Sequence, residues 1–368
     1  MRDCWPDANQ ILLLQASVGR GGQAMEAWKQ WSGSVDFEDL DTGSYRLLPL
    51  LYKNLESHQV SGPIHEKLKG IFRHTFVTNQ FQFKSLQSVL RALQLRKVPV
   101  ILMTDAFLMA KVYENVGLRP HNHLSILIHP SCIADARDIF QSLGWRALFE
   151  PDSMSRRMQR YRGITLTDPD EHAIELQWRV LDDESVNGDR SFRDHATRES
   201  VFDAEAMCPD AADVLLQIIV DGIKWNEVAP FRWIADACSL LDKFEVNWDY
   251  FYSQTIAYKK SLVVQRGLRY LNELKLIHLP ESVLLSVNGF EIDPVEKKVF
   301  QFVTTAARPL SLLNRVLYVQ LDYLKLTGRL TVVPHPVQFA RYLANRWGLN
   351  SLAAVFNTSL RKIVHRRG

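Results

Sequence analysis

The apolar positions change their period twice along the chain. Up to about residue 96 they recur at helical spacing: in "FKSLQSVLRALQL" the residues Leu86, Val89, Leu90 and Leu93 fall on one face, and "YRLLPLLYKNL" follows the same rule. The pattern predicts a helical N-terminal part, residues 1–90. The period then shortens. "VPVILM" (98–103) is a short β-branched run and "LSILI" (124–128) an apolar run of strand length, each followed by a helical stretch, "DAFLMAKVY" and "CIADARDIFQSLGW". This alternation predicts a small α/β unit over residues 91–205. Two more strands are expected at "GITLTD" and "HAIELQW", the second alternating Ile174 and Leu176 with Glu175 and Gln177. After Pro209 strand patterns stop. "PDAADVLLQIIVDGIKW" has acids where a helix N-terminus favours them and sets Val214, Leu215, Ile218 and Ile219 on one face, so helices are predicted through residues 206–368.

At 368 residues, with 46% hydrophobic and 23% charged residues, the chain has the composition of a globular protein with a sizeable core. The cysteines Cys4, Cys132, Cys208 and Cys238 are far apart and contain no CxxC pair, which argues against a disulfide framework or a zinc cluster and predicts a reducing, cytoplasmic setting. No apolar run reaches the length of a signal peptide or membrane span, so no transmembrane segment is expected. The net charge of +3 hides an asymmetry: from Arg308 onward there are ten Lys/Arg and one acid, Asp322, which leaves 34 basic against 40 acidic residues elsewhere. Within this basic segment, "QFARYLANRWGLNSLAAVFNTSLRKIVHRRG" is predicted to be helical, its apolar side including Phe339, Leu343 and Trp347. It suits contact with an anionic surface, nucleic acid or an acidic partner, or packing on the protein's own helices with a solvated basic face.

The order strand, turn, helix, strand, with the turn at "MTDAF" and the second strand preceded by "RPHNHLS", is the layout of a minimal nucleotidyltransferase core. The segments "SYRLLPLLYKNL", "VILMTDAFLMAKVYENVGLRPHNHLSILI", "AIELQW" and "DGIKWNEVAPFRWIADA" resemble, in order and spacing, the bacterial nucleotidyltransferase-like family, from about residue 40 to about residue 275. The resemblance implies an α/β (α+β) core with a mixed sheet, flanked by a helical N-terminal part and a large helical C-terminal part. It also implies Mg²⁺-dependent transfer of a nucleotide: two aspartates one residue apart at a strand end, with a third acid on a later strand, hold the ions that bridge a triphosphate. On that pattern Thr104 and Asp105 fall at the phosphate-binding turn, Arg119 at the family's arginine, His123 and Ser125 at the aspartate pair, and Glu175 at the third acid. Lys224 or Arg232 would reach phosphate while Trp225 or Trp233 stacks on a base, or these aromatics are core residues at helix junctions. Gln177 and Asp221 stand where the family's patterns place histidines.

The departures fall at the ligand positions. A neutral imidazole and a hydroxyl are poor Mg²⁺ ligands, and Asp105 brings negative charge to the turn that meets phosphate. The expectation is a degenerate member that keeps the fold to bind a nucleotide-like ligand or a partner protein. Its alternatives are an enzyme with a rebuilt site and a scaffold in a biosynthetic system. No metal is assigned to the residues as they stand. His123 with Asp105 and Glu175 could suit Zn²⁺ or Mn²⁺, or His123 is a turn residue left after decay of the site. His121 and His129 read as solvent-facing or turn-stabilising, Thr104 or Asp105 as a helix N-cap, and Arg119 as a partner for an acid if not for phosphate. Glu175 has the alternative of an exposed edge-strand position. No Walker-type loop, GxGxxG or nucleophilic triad spacing is present.

Overall fold

The structure, a computed structural model, describes residues 4–147, 154, 157–158, 161–182, 185–224, 231–304, 337, 339–340 and 343. Among these, β1 (Val100–Leu102), β2 (Leu124–Ile128), β3 (Arg146–Ala147), β4 (Gly163–Thr167), β5 (Ala173–Gln177), β6 (Thr197–Val201) and β7 (Ala204–Cys208) build one mixed sheet in the order β3-β4-β5-β2-β1-β7-β6. β1 lies antiparallel to β2, and β2 parallel to β5, with Leu124 opposite Ile174 and Ser125 opposite Glu175. The C-terminal end of β1 and the N-terminal ends of β2 and β5 therefore meet at one edge of the sheet.

Every residue of β1 and of β2 is buried, which is why both read as continuous apolar runs rather than as alternations. Helix Pro63–Leu95 begins with proline at a position where no backbone N–H is missed, and buries Leu86, Val89, Leu90 and Leu93 as their spacing predicts. Helix Ala211–Gly222 is capped by Asp210, whose carboxylate accepts from the Ala212 N–H at 2.8 Å, and it is buried on nearly every face. Its last residue cannot carry a side chain without rearrangement: a Cβ on Gly222 would sit 2.2 Å from Trp233 Cγ. Trp233 is thereby a core residue, 4% exposed. One hydrophobic cluster runs from Leu13 and Leu14 through the sheet to Val283 and Val287.

The structure departs from the sequence expectation in several places. "DAFLMAKVY" forms a one-turn helix, Thr104–Phe107, followed by a π turn, Leu108–Val112. Neither Thr104 nor Asp105 caps that helix; the cap position is Met103, with no side-chain bond, because both polar side chains are engaged elsewhere. β3, β6 and β7 were not expected. The β6–β7 hairpin turns through Phe202 and Asp203, both at positive φ (53° and 54°), without the asparagine or glycine that normally marks such a turn. Gln177, on the polar side of the β5 alternation, is 2% exposed. No helix among the described residues is long and apolar enough to cross a membrane. The basic segment from Arg308, including nearly all of the predicted C-terminal helix, lies outside the described residues.

A buried polar network ties helix Val186–His195 to helices Ala211–Gly222 and Trp248–Ala257. Asp213, 1% exposed, accepts from the Tyr250 hydroxyl and the Gln254 amide, each at 2.8 Å. Burial pushes its pKa up to about 6 although these bonds and His195 oppose the rise and Asp210 adds to it. An acid raised in the folded state binds its proton more tightly there than in the unfolded chain. Its contribution to stability is present in full below the unfolded value of 3.8 and is lost as pH rises through about 6. Asp213→Asn is expected to flatten the stability profile across that window relative to the parent, as measured by urea unfolding at a series of pH values. Parallel profiles for the two proteins would refute this.

Candidate functional site

The sheet edge where β1, β2 and β5 meet brings together His123, Ser125 and Glu175, the three residues expected from the sequence to stand at ligand positions. The Met103 N–H bonds the Ser125 carbonyl at 3.0 Å, which fixes the Thr104–Asp105 turn against the start of β2. The Ser125 hydroxyl donates to Glu175 Oε2 at 3.4 Å, and His123 Nε2 lies 3.9 Å from the same oxygen. Gln177 Nε2 donates to it as well, at 2.5 Å. The His123 side chain is 42% exposed and that of Glu175 19%, so the carboxylate is set deeper than the imidazole. Glu175 is thus not an exposed edge-strand acid; β5 is flanked by both β2 and β4.

Arg162, just before β4, enters this site and was not singled out by any sequence pattern. Its Nη1 donates to Asp221 Oδ2 at 3.0 Å, its Nη2 lies 3.9 Å from Glu175 Oε2, and its Nε is 3.8 Å from Asp182 Oδ1. Lys224 Nζ donates to Asp221 at 2.6 Å and to Asp182 at 3.3 Å. Burial would raise the Asp221 pKa, but Lys224 and Arg162 outweigh it and hold the carboxyl well below the usual range. The Asp221 charge holds the Arg162 pKa above its ordinary value, against the effect of burial.

Arg119 and Arg232 are turned inward. Arg119 forms a two-pronged pair with Asp236, at 3.1 and 3.0 Å, and its Nη2 also lies 2.7 Å from Asp105. Asp236 accepts further from the Tyr113 hydroxyl at 2.6 Å and lies 3.6 Å from Arg232 Nε. Arg232 also donates to the carbonyl oxygens of Arg46 and Leu118. Burial opposes ionisation of both Arg119 and Asp236. Mutual attraction, with help from Asp105 and Arg232, keeps both charged, the arginine's pKa above its usual value and the aspartate's below. Of the two sequence readings of Arg119, the structure displays the pairing with acids. The negative charge of Asp105 at the turn is met by that guanidinium. Thr104 donates to Gln217 Oε1 at 2.9 Å, joining the turn to helix Ala211–Gly222. Trp225 lies outside the described residues.

The histidines divide. His129 is exposed and accepts from the Ser131 N–H at the start of a short 3₁₀ turn, a turn-stabilising part. His121 is half-buried rather than solvent-facing, with Nδ1 3.2 Å from the Arg119 carbonyl oxygen; burial and the Arg119 charge push its pKa down to about 4. His123, Asp105 and Glu175 do not form a metal-binding trio: Asp105 turns to Arg119. The described set of three candidate ligands with atoms within 4.8 Å of one another is Asp168, Asp170 and His172 at the β4–β5 turn. There Asp168 accepts from the Ser85 hydroxyl, from the backbone N–H groups of Asp170 and His172, and from the His172 ring, so its oxygens serve the turn.

Mg²⁺ asks for charged oxygens in near-octahedral array. At the positions where the sequence leads one to expect ligands, the chain offers one carboxylate (Glu175), one hydroxyl (Ser125) and one imidazole (His123), with the Arg162 guanidinium beside them. These residues do not fit Mg²⁺.

A first strand leading through a turn into a helix, an antiparallel second strand carrying the candidate ligands and a third strand carrying an acid define a nucleotidyltransferase-type core. The sequence profile of the uncharacterised nucleotidyltransferase family matches residues 44–275, and the chain belongs to that family. Solved structures similar to it include a solution structure of the antibiotic-resistance factor ANT(2'')-Ia (12% identity, 52% of this chain and 98% of that chain covered, TM-score 0.33). A crystal structure of ANT(2'')-Ia in complex with adenylyl-2''-tobramycin is similar at 13% identity, covering 50% of this chain and 99% of that one, TM-score 0.36. A crystal structure of an antigenic nucleotidyltransferase-like protein from Paracoccidioides brasiliensis is similar at 15% identity, covering 56% and 98%, TM-score 0.36. At these scores the family assignment rests on the profile match alone. A search of curated proteins returned no match.

Proposed function

We propose that this protein is a member of the family in which Mg²⁺-dependent nucleotide transfer has been lost and the retained fold binds a nucleotide-like ligand. The observation that carries this reading is the state of Glu175: the acid at the family's third metal position is bonded by Ser125 and Gln177 and neighboured by Arg162, with no second carboxylate at position 123 or 125. Two missing carboxylates remove most of the charge that would hold an ion, and each 1.4 kcal/mol lost from the transition state is about tenfold in rate. In this reading Thr104, Asp105 and Lys224, whose side chain is 37% exposed, meet the ligand, and the inward Arg119 and Arg232 support them from below. A partner protein or an anionic surface is the second kind of contact in this reading, assigned to the segment from Arg308 onward because of its basic excess.

Calorimetric titration with the ribonucleoside triphosphates, with and without Mg²⁺ or Mn²⁺, tests the reading together with a transfer assay using labelled nucleotide. Binding of unchanged affinity in the presence and absence of metal, without transfer, is the expected result. Label appearing on any acceptor at a rate lowered by Glu175→Ala would overturn it.

A further inference from the structure

The cations round Glu175 are already answered by acids. Arg162 lies 3.0 Å from Asp221, 3.8 Å from Asp182 and 3.9 Å from Glu175, and Lys224 is bonded to Asp221 and Asp182 at 2.6 and 3.3 Å. More deeply buried, Arg119 meets Asp105 at 2.7 Å and Asp236 at 3.0 Å, and Arg232 meets Asp236 at 3.6 Å. Two cations thus stand against three acids in the outer group and two against two in the inner one, so the described residues, histidines aside, leave the site with an excess of negative charge. A triphosphate would add several more. To bond it, Arg162 or Lys224 would have to leave Asp221, and the phosphates would stand against the carboxylates left behind.

The unused hydrogen-bonding capacity is of the opposite kind. The contacts of Ser125, Gln177, His123 and Arg162 with Glu175 all fall on Oε2, and nothing among the described residues bonds its Oε1. Gln177, 2% exposed, directs its amide N–H to that carboxylate, and its own Oε1 has no hydrogen-bond partner among the described residues. The two side chains stand two residues apart on one face of β5, and both want a donor.

We propose that the ligand of this site is a neutral nucleoside rather than a nucleoside triphosphate: its hydroxyl and amino hydrogens donate to Glu175 and Gln177, and it brings no phosphate to a group whose cations are already matched. The inference rests on the reading of the fold as one that binds a nucleotide-like ligand, and names the part of such a ligand that is bound. It also gives the proposed loss of metal binding a consequence. Without an ion to offset the charge of a triphosphate, the uncharged end of a nucleotide is the part this site holds.

The test is calorimetric titration of the full chain, in chelator, with the four ribonucleosides and with their triphosphates. At least one nucleoside is expected to bind about tenfold or more tightly than its own triphosphate. Raising the salt concentration is expected to narrow that difference by strengthening triphosphate binding, because repulsion is screened; a site with unmatched cations would respond the other way. Asp182, whose side chain is 65% exposed, offers a variant that leaves the core alone. Asp182→Lys is expected to raise triphosphate affinity about tenfold or more and to leave that of the nucleoside within about twofold. Should that variant fail to fold, Asp182→Asn reads the same change with half the added charge. A triphosphate that binds the parent more tightly than its nucleoside overturns the proposal and leaves the proposed function standing. An affinity ratio that neither salt nor the Asp182 variants move overturns it too, since charge would then not be the cause. Binding of neither nucleosides nor triphosphates removes the proposed function and this inference together.

Discussion

Asp236→Ala is expected to destabilise the protein by about 3–5 kcal/mol, because removing one partner of a buried charge network leaves the others uncompensated. Asp236 is 4% exposed and receives both prongs of Arg119, the Tyr113 hydroxyl and the approach of Arg232; Arg119 and Arg232 are themselves 7% and 8% exposed. After the substitution Asp105 alone would answer Arg119, and the Thr104–Asp105 turn would follow that guanidinium. A surface pair supplies the contrast. Arg20 and Asp242 also form an ion pair, but their side chains are 81% and 64% exposed, so Asp242→Ala is expected to cost about 0–1 kcal/mol. Urea unfolding of the two variants decides the matter, and equal losses would refute the network's importance.

Restoring acids at the family's ligand positions is expected to succeed only if Arg162 is removed as well. In His123→Asp with Ser125→Asp, the new carboxylates would find Arg162 already beside Glu175, where a metal would have to displace it. Adding Arg162→Gln is expected to create Mg²⁺-dependent binding of ATP at least about tenfold tighter than in chelator, equivalent to about 1.4 kcal/mol. Asp105 does not have to be changed first, because its carboxylate is turned to Arg119 at 2.7 Å. Calorimetry on the double and triple variants, with Asp105→Gly added last, reads out each step. A folded quadruple variant without Mg²⁺-dependent affinity would sink the assignment of His123 and Ser125 to the former aspartate positions.

Much of the sheet was legible because its signal is local. "LSILI" coincides with β2, and "GITLTD" and "HAIELQW" contain β4 and β5, since strand length and side-chain alternation are properties of consecutive residues. The helix with Leu86, Val89, Leu90 and Leu93 was legible for the same reason. β6 and β7 escaped because their turn residues, Phe202 and Asp203, are held at positive φ by the hairpin itself rather than by a residue that prefers it. β3 escaped because two residues carry no period at all.

The chemistry divides in the same way. The amino-acid sequence by itself determined the α/β core, its helical flanks and the family, because each is carried by short segments in a fixed order. Only the tertiary structure decided which charges meet. Arg162 and Asp221 are 59 positions apart, and Arg119 and Asp236 are 117 apart. Hydrophobic period specifies which face of an element is buried, and says nothing about which ionic side chain from a distant element arrives against it. Burial then makes the meeting consequential: water screens the exposed Arg20–Asp242 pair, whereas Arg119, Asp236 and Arg162 must find their counter-charges inside the fold.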